Sequence, residues 1–156
     1  LNLRKKIEYT RAEIKCVFLM RDPIERCWSA TRHAKRRGWK NWDVGQSDEQ
    51  SLMERFSTKQ FENRTRYELI CERLRSVFSD EELYFGIYET MFSDSEIERL
   101  SAFLNVPVKY QHRDKQPNQS PKTGKISNEL REKIRRHYAE TYDYCFENFE
   151  AAKLAW

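Results

Sequence analysis

The chain has 156 residues, of which 38% are hydrophobic and 35% are charged, which suits one polar domain or part of one. Its 29 basic and 25 acidic side chains leave a formal net charge of +4 and are largely interleaved. The net charge therefore gives no reason to expect a nucleic-acid partner. No apolar run approaches the roughly 20 residues that cross a bilayer, and residues 1–10 lack the apolar centre of a secretion signal. A soluble, cytoplasmic protein without a membrane span is expected. The four cysteines form no CxxC pair, which favours reduced thiols over one or two disulfides.

The first predicted element is a strand over residues 15–20, a nearly continuous apolar run that leads at once into a helix. Pro23 suits the first helical turn, and Asp22 suits the position that caps it. Helical spacing predicts that the apolar side of this helix comprises Ile24, Cys27, Trp28 and Thr31. The basic run at residues 35–40 is interpreted either as the solvated end of this helix or as an anion-facing loop.

A second helix is predicted from the spacing of Tyr67, Ile70, Leu74 and Val77, and it leads into a second strand at residues 83–88. About 60 residues separate the two strands, too many for a tight hairpin, so a parallel pair within an α/β fold is predicted. Because two strands do not form a stable sheet alone, further strands are expected.

The last third of the chain predicts two more helices and a loop. The capping box "SDSE", residues 93–96, opens a helix whose end is marked by Asn105 and Pro107. A polar loop follows at residues 109–126. One long helix is then predicted from near Ser127 to Phe149.

The junction of the first strand and the first helix predicts an anion site. Entry into the helix at Pro23 points free N–H groups toward the carboxyl edge of the sheet, where anions bind. Arg21 has a planar, charged fork that matches phosphate oxygens, and Ser29 carries a hydroxyl donor two turns into the helix. Together they would hold one phosphate from two sides. Alternatively, Arg21 pairs with Asp22 or Glu25, and Ser29 simply faces water.

The segment "FLMRDPIERCWS", residues 18–29, resembles the 3′-phosphate-binding signature of sulfotransferases that use 3′-phosphoadenosine 5′-phosphosulfate (PAPS). In that family the matching Arg and Ser contact the donor's 3′-phosphate, which implies this role for Arg21 and Ser29. The segments "RTRYELICERLRSVF" and "LYFGIYETMFSDSEIERLSAFLNVP" are similar to later elements of the family, a helix and then a strand, turn and helix. The likeness runs over roughly residues 14–149 and covers the C-terminal half of such a domain.

The resemblance implies a P-loop-NTPase-like, three-layer α/β fold with a central parallel sheet, of which residues 1–156 form the C-terminal portion of a single domain. The family's Gly-rich, Lys-containing loop for the 5′-phosphosulfate precedes the matched motif, yet no Gly occurs before Ile14. We therefore expect this loop to lie outside the chain. The usual catalytic Lys and general base lie largely in the same part of the family's domain, so no catalytic residue is assigned and the chain alone is expected to be inactive.

The resemblance implies one further group of site residues, and the aromatic character of other side chains suggests the rest. The basic loop before the last helix supplies Lys122, Thr123, Gly124 and Lys125. This loop would close over the 3′-phosphate or be an ordinary exposed loop. Tyr67 would form a wall of the donor or acceptor site or be a helix-packing aromatic. Trp39 and Trp42, in "GWKNWDVG", would line an acceptor cleft or anchor their loop onto the body.

The sequence thus predicts a sulfotransferase that transfers a sulfuryl group to a hydroxyl or amine, with PAPS as co-substrate. The acceptor is left open among small molecules, carbohydrates, lipids and proteins. The three histidines share no ligand spacing with the cysteines or carboxylates, so no metal is expected. The alternatives are a kinase-like P-loop protein and a non-catalytic adaptor, which would bind nucleotide or an acidic polymer through Arg21, the basic run and the loop containing Lys122.

Overall fold

The computed structural model describes residues 13–108 and 124–156, and it is mostly helical with a short two-stranded parallel sheet. Strand β1, Cys16–Met20, pairs with β2, Leu83–Ile87, so that Cys16 lies opposite Leu83 and Met20 lies opposite Ile87. The two predicted strands and their parallel pairing are confirmed. Each observed strand is one residue shorter than its predicted run.

Helices occupy most of the remaining described chain. In chain order they are α1 Pro23–Arg36, α2 Asp48–Arg55, α3 Lys59–Thr65, α4 Tyr67–Arg75, α5 Asp94–Leu104, α6 Asn128–His137, α7 Ala139–Asn148 and α8 Glu150–Ala155. A single turn of 3₁₀ helix, Asp80–Glu82, leads into β2. No helix among these described segments is long and apolar enough to cross a membrane.

Helix α1 forms where the sequence predicts it, because its start signals act together. Pro23 occupies the first turn, and Asp22 Oδ1 accepts hydrogen bonds from the N–H groups of Ile24 at 2.8 Å and Glu25 at 3.1 Å. The side predicted to be apolar is buried, comprising Ile24, Cys27, Trp28 and Thr31. One face of α1 is thus fixed in the core, and the opposite face is left polar.

Helices α4 and α5 also confirm the sequence pattern. The predicted second helix appears as α4, beginning at Tyr67 and ending at Arg75. Ser93 caps α5 by accepting from the Glu96 N–H, and Asn105 ends that helix in the left-handed region with φ of 51°.

The structure adds α2 and α3, which the sequence does not predict. Ser47 and Gln50 form a reciprocal capping box at the start of α2, and each helix buries one large apolar side chain, Leu52 in α2 and Phe61 in α3. Helices of seven or eight residues fall below the window in which helical periodicity shows, and such short helices depend on tertiary packing.

The prediction of one long C-terminal helix is wrong, because the segment is broken at Tyr138; a second break, at Phe149, coincides with the predicted end. Tyr138 leaves helical geometry, with φ of −103° and ψ of 24°, and its side chain is fully buried, with the hydroxyl donating to the Phe56 carbonyl. At the second break, the Phe149 ring lies 5.7 Å from the ring of Phe85 in β2. Tertiary contacts of the two aromatic residues therefore outweigh continuation of the helix.

Two apolar clusters hold these elements together. One lies under α1, where it meets α2, α3, α6 and α7, and it includes Ile24, Leu52, Phe61, Leu130 and Ile134. The other lies between the sheet and α4, α7 and α8, and it includes Met20, Tyr67, Cys71, Ile87 and Cys145. All four cysteines are free thiols, and burial raises the pKa of each.

Candidate functional site

A strongly basic cavity of about 530 Å³ lies against the polar side of α1. Its lining comprises Arg21, Arg26, Ser29, Ala30, His33, Arg36, Arg37, Trp39 and Arg64. Arg21 comes from the end of β1, Arg64 from α3, and the rest from α1 and the turn after it. Arg21 and Ser29, which the sequence predicts as partners, thus line one cavity together.

The lining follows from helical periodicity. Arg26, Ser29, His33 and Arg37 lie three or four residues apart, so they fall on one face of α1 and its cap over successive turns. The spacing of these polar residues is visible in the sequence. Of the four, the sequence motif assigns only Ser29 to a ligand. Of the two interpretations of the basic run, the structure shows the exposed end of α1 at Arg36 and Arg37, which also line the cavity, and the anion-facing role stays a prediction.

Ser29 presents an uncommitted hydroxyl to the cavity. Serine and threonine side chains within helices often bond back to a carbonyl one turn earlier, as Thr31 does here with the carbonyl of Cys27 at 3.0 Å. The Ser29 hydroxyl has no such hydrogen bond to any residue the structure describes. It therefore remains available to a ligand.

The guanidinium of Arg21 is held near carboxylates without being hydrogen-bonded by them. Its Nε lies 3.7 Å from Glu89 Oε1, and its Nη2 lies 3.9 Å from Glu25 Oε2. Nε is buried and has no hydrogen-bond partner among the described residues. The guanidinium also lies 4.9 Å from the centre of the Tyr88 ring. A buried N–H donor without a hydrogen-bond partner is unfavourable. The Nε of Arg21 is therefore able to donate to an anionic ligand.

Tyr67 stabilises the strand end that carries Arg21 from its buried side. Its side chain is buried in the second cluster, where its hydroxyl donates to the Arg21 carbonyl at 2.9 Å and accepts from the Arg21 N–H at 3.3 Å. Burial raises the pKa of this phenol, which keeps it protonated as a donor. Of the two interpretations of Tyr67, the structure shows the packing aromatic, with the added task of fixing the strand end that carries Arg21.

Glu89 joins three parts of the chain at the same edge of the sheet. Its carboxylate accepts from the Asp22 N–H at 3.2 Å and from the indole N–H of Trp156 at 2.9 Å, besides facing Arg21. These contacts make Glu89 a structural hydrogen-bond acceptor of the turn between β1 and α1.

The expectation that free N–H groups at the start of α1 bind an anion is wrong. Asp22 Oδ1 already accepts from Ile24 and Glu25, the Arg26 N–H donates to the Asp22 carbonyl, and Pro23 has no N–H. Tyr142 also donates to Asp22 Oδ1 at 3.2 Å. The helix terminus is closed by a carboxylate, so the basic cavity is built from side chains farther along the helix.

The remaining arginines differ in how firmly they are held. Arg26 donates to Thr65 Oγ1 at 2.9 Å and lies over the Phe61 ring at 5.7 Å, which ties α1 to α3. Within residues 13–108 and 124–156, neither Arg37 nor Arg64 has a carboxylate within ion-pair distance. These two charges are therefore uncompensated at the wall of the cavity.

The two tryptophans behave differently. Trp39 is 43% exposed, lines the cavity and meets the His33 ring edge to face at 5.6 Å. Trp42 packs against the first apolar cluster, with the Arg55 guanidinium 4.5 Å from the centre of its ring system. Trp42 thus anchors its loop onto the body, whereas Trp39 lines the basic cavity, and its contact with an acceptor stays a prediction.

The loop candidates are only partly described, since Lys122 and Thr123 lie outside the described residues. Gly124 has φ of +81°, a conformation that favours glycine, and a Cβ at this position would lie 3.5 Å from Trp28. Trp28 belongs to the buried side of α1, and neither Gly124 nor Lys125 lines the basic cavity. Their proposed contact with the 3′-phosphate stays a prediction.

The histidines fall in different surroundings. His33 lines the cavity, with Nδ1 3.3 Å from Arg36, although no sequence motif places it in a site. His137 lies 3.1 Å from Glu62, and His112 is outside the described residues. Across the described ranges, no group of three or more His, Cys, Asp or Glu residues is placed to hold a metal ion.

Comparisons with protein-family models, curated proteins and solved structures gave no match. Any function must therefore be argued from the residue pattern and from this cavity.

Tyr67→Phe is expected to lower the free energy of unfolding by about 1 to 2 kcal/mol, because the Arg21 carbonyl loses its buried donor. Urea denaturation of the variant measures this change. Tyr88→Phe is the matched control, since Tyr88 is 39% exposed and its hydroxyl has no hydrogen bond to a described residue. Equal loss in both variants would show that the Tyr67 hydroxyl does not stabilise the strand end.

Proposed function

We propose that the chain is the C-terminal portion of a PAPS-dependent sulfotransferase domain and binds the 3′-phosphate end of the donor. The observation that carries this proposal is that Arg21 and Ser29, brought together by the strand, turn and helix, line one basic cavity. The alternative in which Arg21 pairs with Glu25 is also found, as an ion pair at 3.9 Å, but the Nε of Arg21 has no hydrogen bond to a described residue.

The cavity residues would each contribute to phosphate binding in a different way. Arg21 would supply charge-assisted, directional N–H donors from the end of β1, and Ser29 a hydroxyl donor from α1. Arg26, fixed by Thr65, would add positive charge without having to be ordered on binding. Tyr67 and Glu89 would keep the strand end and the following turn in place.

Binding of the 3′-phosphate would assist sulfuryl transfer by orienting the donor. The acceptor oxygen must approach the sulfur in line with the leaving phosphate, so a donor held at its 3′-phosphate has fewer unproductive orientations. Negative charge that develops on the leaving bisphosphate is stabilised by preorganised cations. We propose no catalytic base or catalytic lysine within residues 14–149.

The proposal includes the finer fold. We propose that β1 and β2 belong to the central parallel sheet of a P-loop-NTPase-like, three-layer domain, and that the loop for the 5′-phosphosulfate comes from another part of that domain. Support comes from the parallel register of the two strands and from the position of the cavity next to the carboxyl end of β1, where ligands bind in open α/β sheets.

A non-catalytic adaptor is the second candidate, because five arginines in one cavity suit any multiply charged anion. The full-length protein, supplied with PAPS labelled in its sulfuryl group and a panel of hydroxyl and amine acceptors, distinguishes these functions. We expect labelled product together with adenosine 3′,5′-bisphosphate, and loss of both in Arg21→Ala. Binding of the bisphosphate without transfer to any acceptor would favour the adaptor, and turnover of ATP in place of PAPS would favour a kinase.

A further inference from the structure

We propose that Trp156 and Arg131 are positioning residues for the anion site. Trp156 holds the carboxylate of Glu89, and Arg131 that of Glu25, beyond hydrogen-bonding distance of a guanidinium. That guanidinium belongs to Arg21, which is thereby left available to a phosphate. Neither Trp156 nor Arg131 lines the basic cavity. The inference rests on the proposed function, because it takes the donor's 3′-phosphate as the ligand of Arg21.

Two carboxylates lie near Arg21 without forming a hydrogen bond with it. Glu89 Oε1 lies 3.7 Å from Arg21 Nε, and Glu25 Oε2 lies 3.9 Å from Arg21 Nη2. Hydrogen bonds from a guanidinium to a carboxylate span about 2.7 to 2.9 Å, so both contacts fall short of that length. Since opposite charges this close attract each other, other contacts must hold the two carboxylates where they are.

Glu89 is held at both of its oxygens. The Trp156 indole N–H donates to Oε2 at 2.9 Å, and the Asp22 N–H donates to Oε1 at 3.2 Å. The carboxylate therefore does not turn to present an oxygen to Arg21 Nε without weakening one of these hydrogen bonds.

The indole of Trp156 is itself fixed by three aromatic rings. Its centre lies 6.3 Å from the ring of Tyr67, 6.2 Å from that of Tyr142 and 6.5 Å from that of Phe146. These contacts keep the N–H directed at Glu89. Phenylalanine at position 156 would retain an aromatic ring among the other three and lose the N–H donor.

Glu25 is held from another element, helix α6. Arg131 Nη2 donates to Glu25 Oε1 at 2.9 Å, while the other oxygen of Glu25 faces Arg21. The Arg131 and Glu25 side chains are 42% and 36% exposed, and ion pairs this exposed contribute little to stability. Loss of Arg131 is therefore expected to change the surroundings of Arg21 more than the fold.

The placement of the two carboxylates affects binding because a carboxylate and a phosphate compete for the same N–H donors. If Glu89 or Glu25 were hydrogen-bonded to Arg21, a phosphate would have to break those bonds before forming its own. A guanidinium that is ordered but not hydrogen-bonded avoids this loss, which is a form of preorganisation.

The first test needs no ligand. The Nε–H resonance of Arg21, identified by its absence from Arg21→Ala, is measured by NMR in the full-length protein with isotope-labelled arginine. We expect a downfield shift in Trp156→Phe, because Glu89 becomes free to accept from Nε. Adding Glu89→Gln to this variant should remove the shift. An unchanged Arg21 resonance in a folded Trp156→Phe variant overturns the role of Trp156.

Calorimetric titration of adenosine 3′,5′-bisphosphate into the full-length protein measures the consequence for binding. We expect Trp156→Phe and Arg131→Gln each to weaken binding by about three- to tenfold. The effect of Trp156→Phe should fall below twofold in a Glu89→Gln background, and that of Arg131→Gln in a Glu25→Gln background. Arg136→Gln is the matched control, since it removes the same charge from an exposed arginine of α6 and should change binding less than twofold.

The outcomes separate this inference from the proposed function. Equal weakening with and without the carboxylate overturns the inference, because Trp156 or Arg131 would then act through packing or net charge. Equal weakening by Arg131→Gln and Arg136→Gln has the same meaning for Arg131. If the Arg21 resonance shifts as expected but the unaltered protein does not bind the bisphosphate, the positioning role stands and the proposed donor function is lost.

Discussion

Asp22→Ala is expected to lower the free energy of unfolding by about 2 to 3 kcal/mol, the largest stability loss predicted for a residue of the site. The Asp22 carboxylate caps α1 through the N–H groups of Ile24 and Glu25 and also accepts from the buried hydroxyl of Tyr142. Removing it leaves three donors without a partner at the start of the helix that carries the cavity. Urea denaturation followed by circular dichroism measures the change.

Asp22→Asn is the matched control, because its side-chain carbonyl keeps one acceptor oxygen at the same position. We expect it to retain more than half of the stability that Asp22→Ala loses. If the two variants are equally destabilised, the negative charge of Asp22 rather than its capping geometry stabilises α1.

Arg21→Ala is expected to weaken binding of adenosine 3′,5′-bisphosphate by about 10- to 150-fold, corresponding to about 1.5 to 3 kcal/mol for charge-assisted contacts. Ser29→Ala removes a single hydroxyl donor and should cost the same or less. Neither side chain stabilises α1 by a described hydrogen bond, so both variants are expected to fold. Calorimetric titration of the bisphosphate into the full-length variants measures the two effects.

Local signals made the part of the site that contains Arg21 and Ser29 predictable from the sequence. The turn "RDP" places an arginine at a strand end, an aspartate at the helix cap and a proline in the first helical turn, and all three positions are found in the structure. The spacing from Arg21 to Ser29 then sets both side chains on the cavity. The same kind of local signal, Ser93 with Glu96, correctly predicted the start of α5.

The contribution of Arg64 to the cavity was not predictable because it depends on tertiary contacts. Arg64 reaches the cavity only because α3 packs on α1 through Arg26 and Thr65, and α3 is too short to show helical periodicity. The same limitation explains the unexpected break at Tyr138, where a buried hydroxyl bonds to the distant Phe56 carbonyl. Asp22 also closes the helix terminus that was expected to bind an anion, since a capping carboxylate and a bound phosphate would compete for the same N–H groups.

The most direct test of the central claim is a thermodynamic cycle between Arg21 and the 3′-phosphate. Adenosine 3′,5′-bisphosphate and adenosine 5′-monophosphate are titrated into the full-length protein and into Arg21→Ala, with folding of the variant verified first. We predict that the variant weakens the bisphosphate by at least tenfold and the monophosphate by less than twofold, because only the former carries the group that Arg21 contacts. Equal weakening of both ligands, or of neither, would contradict this role and leave Arg21 as a structural residue of the strand end.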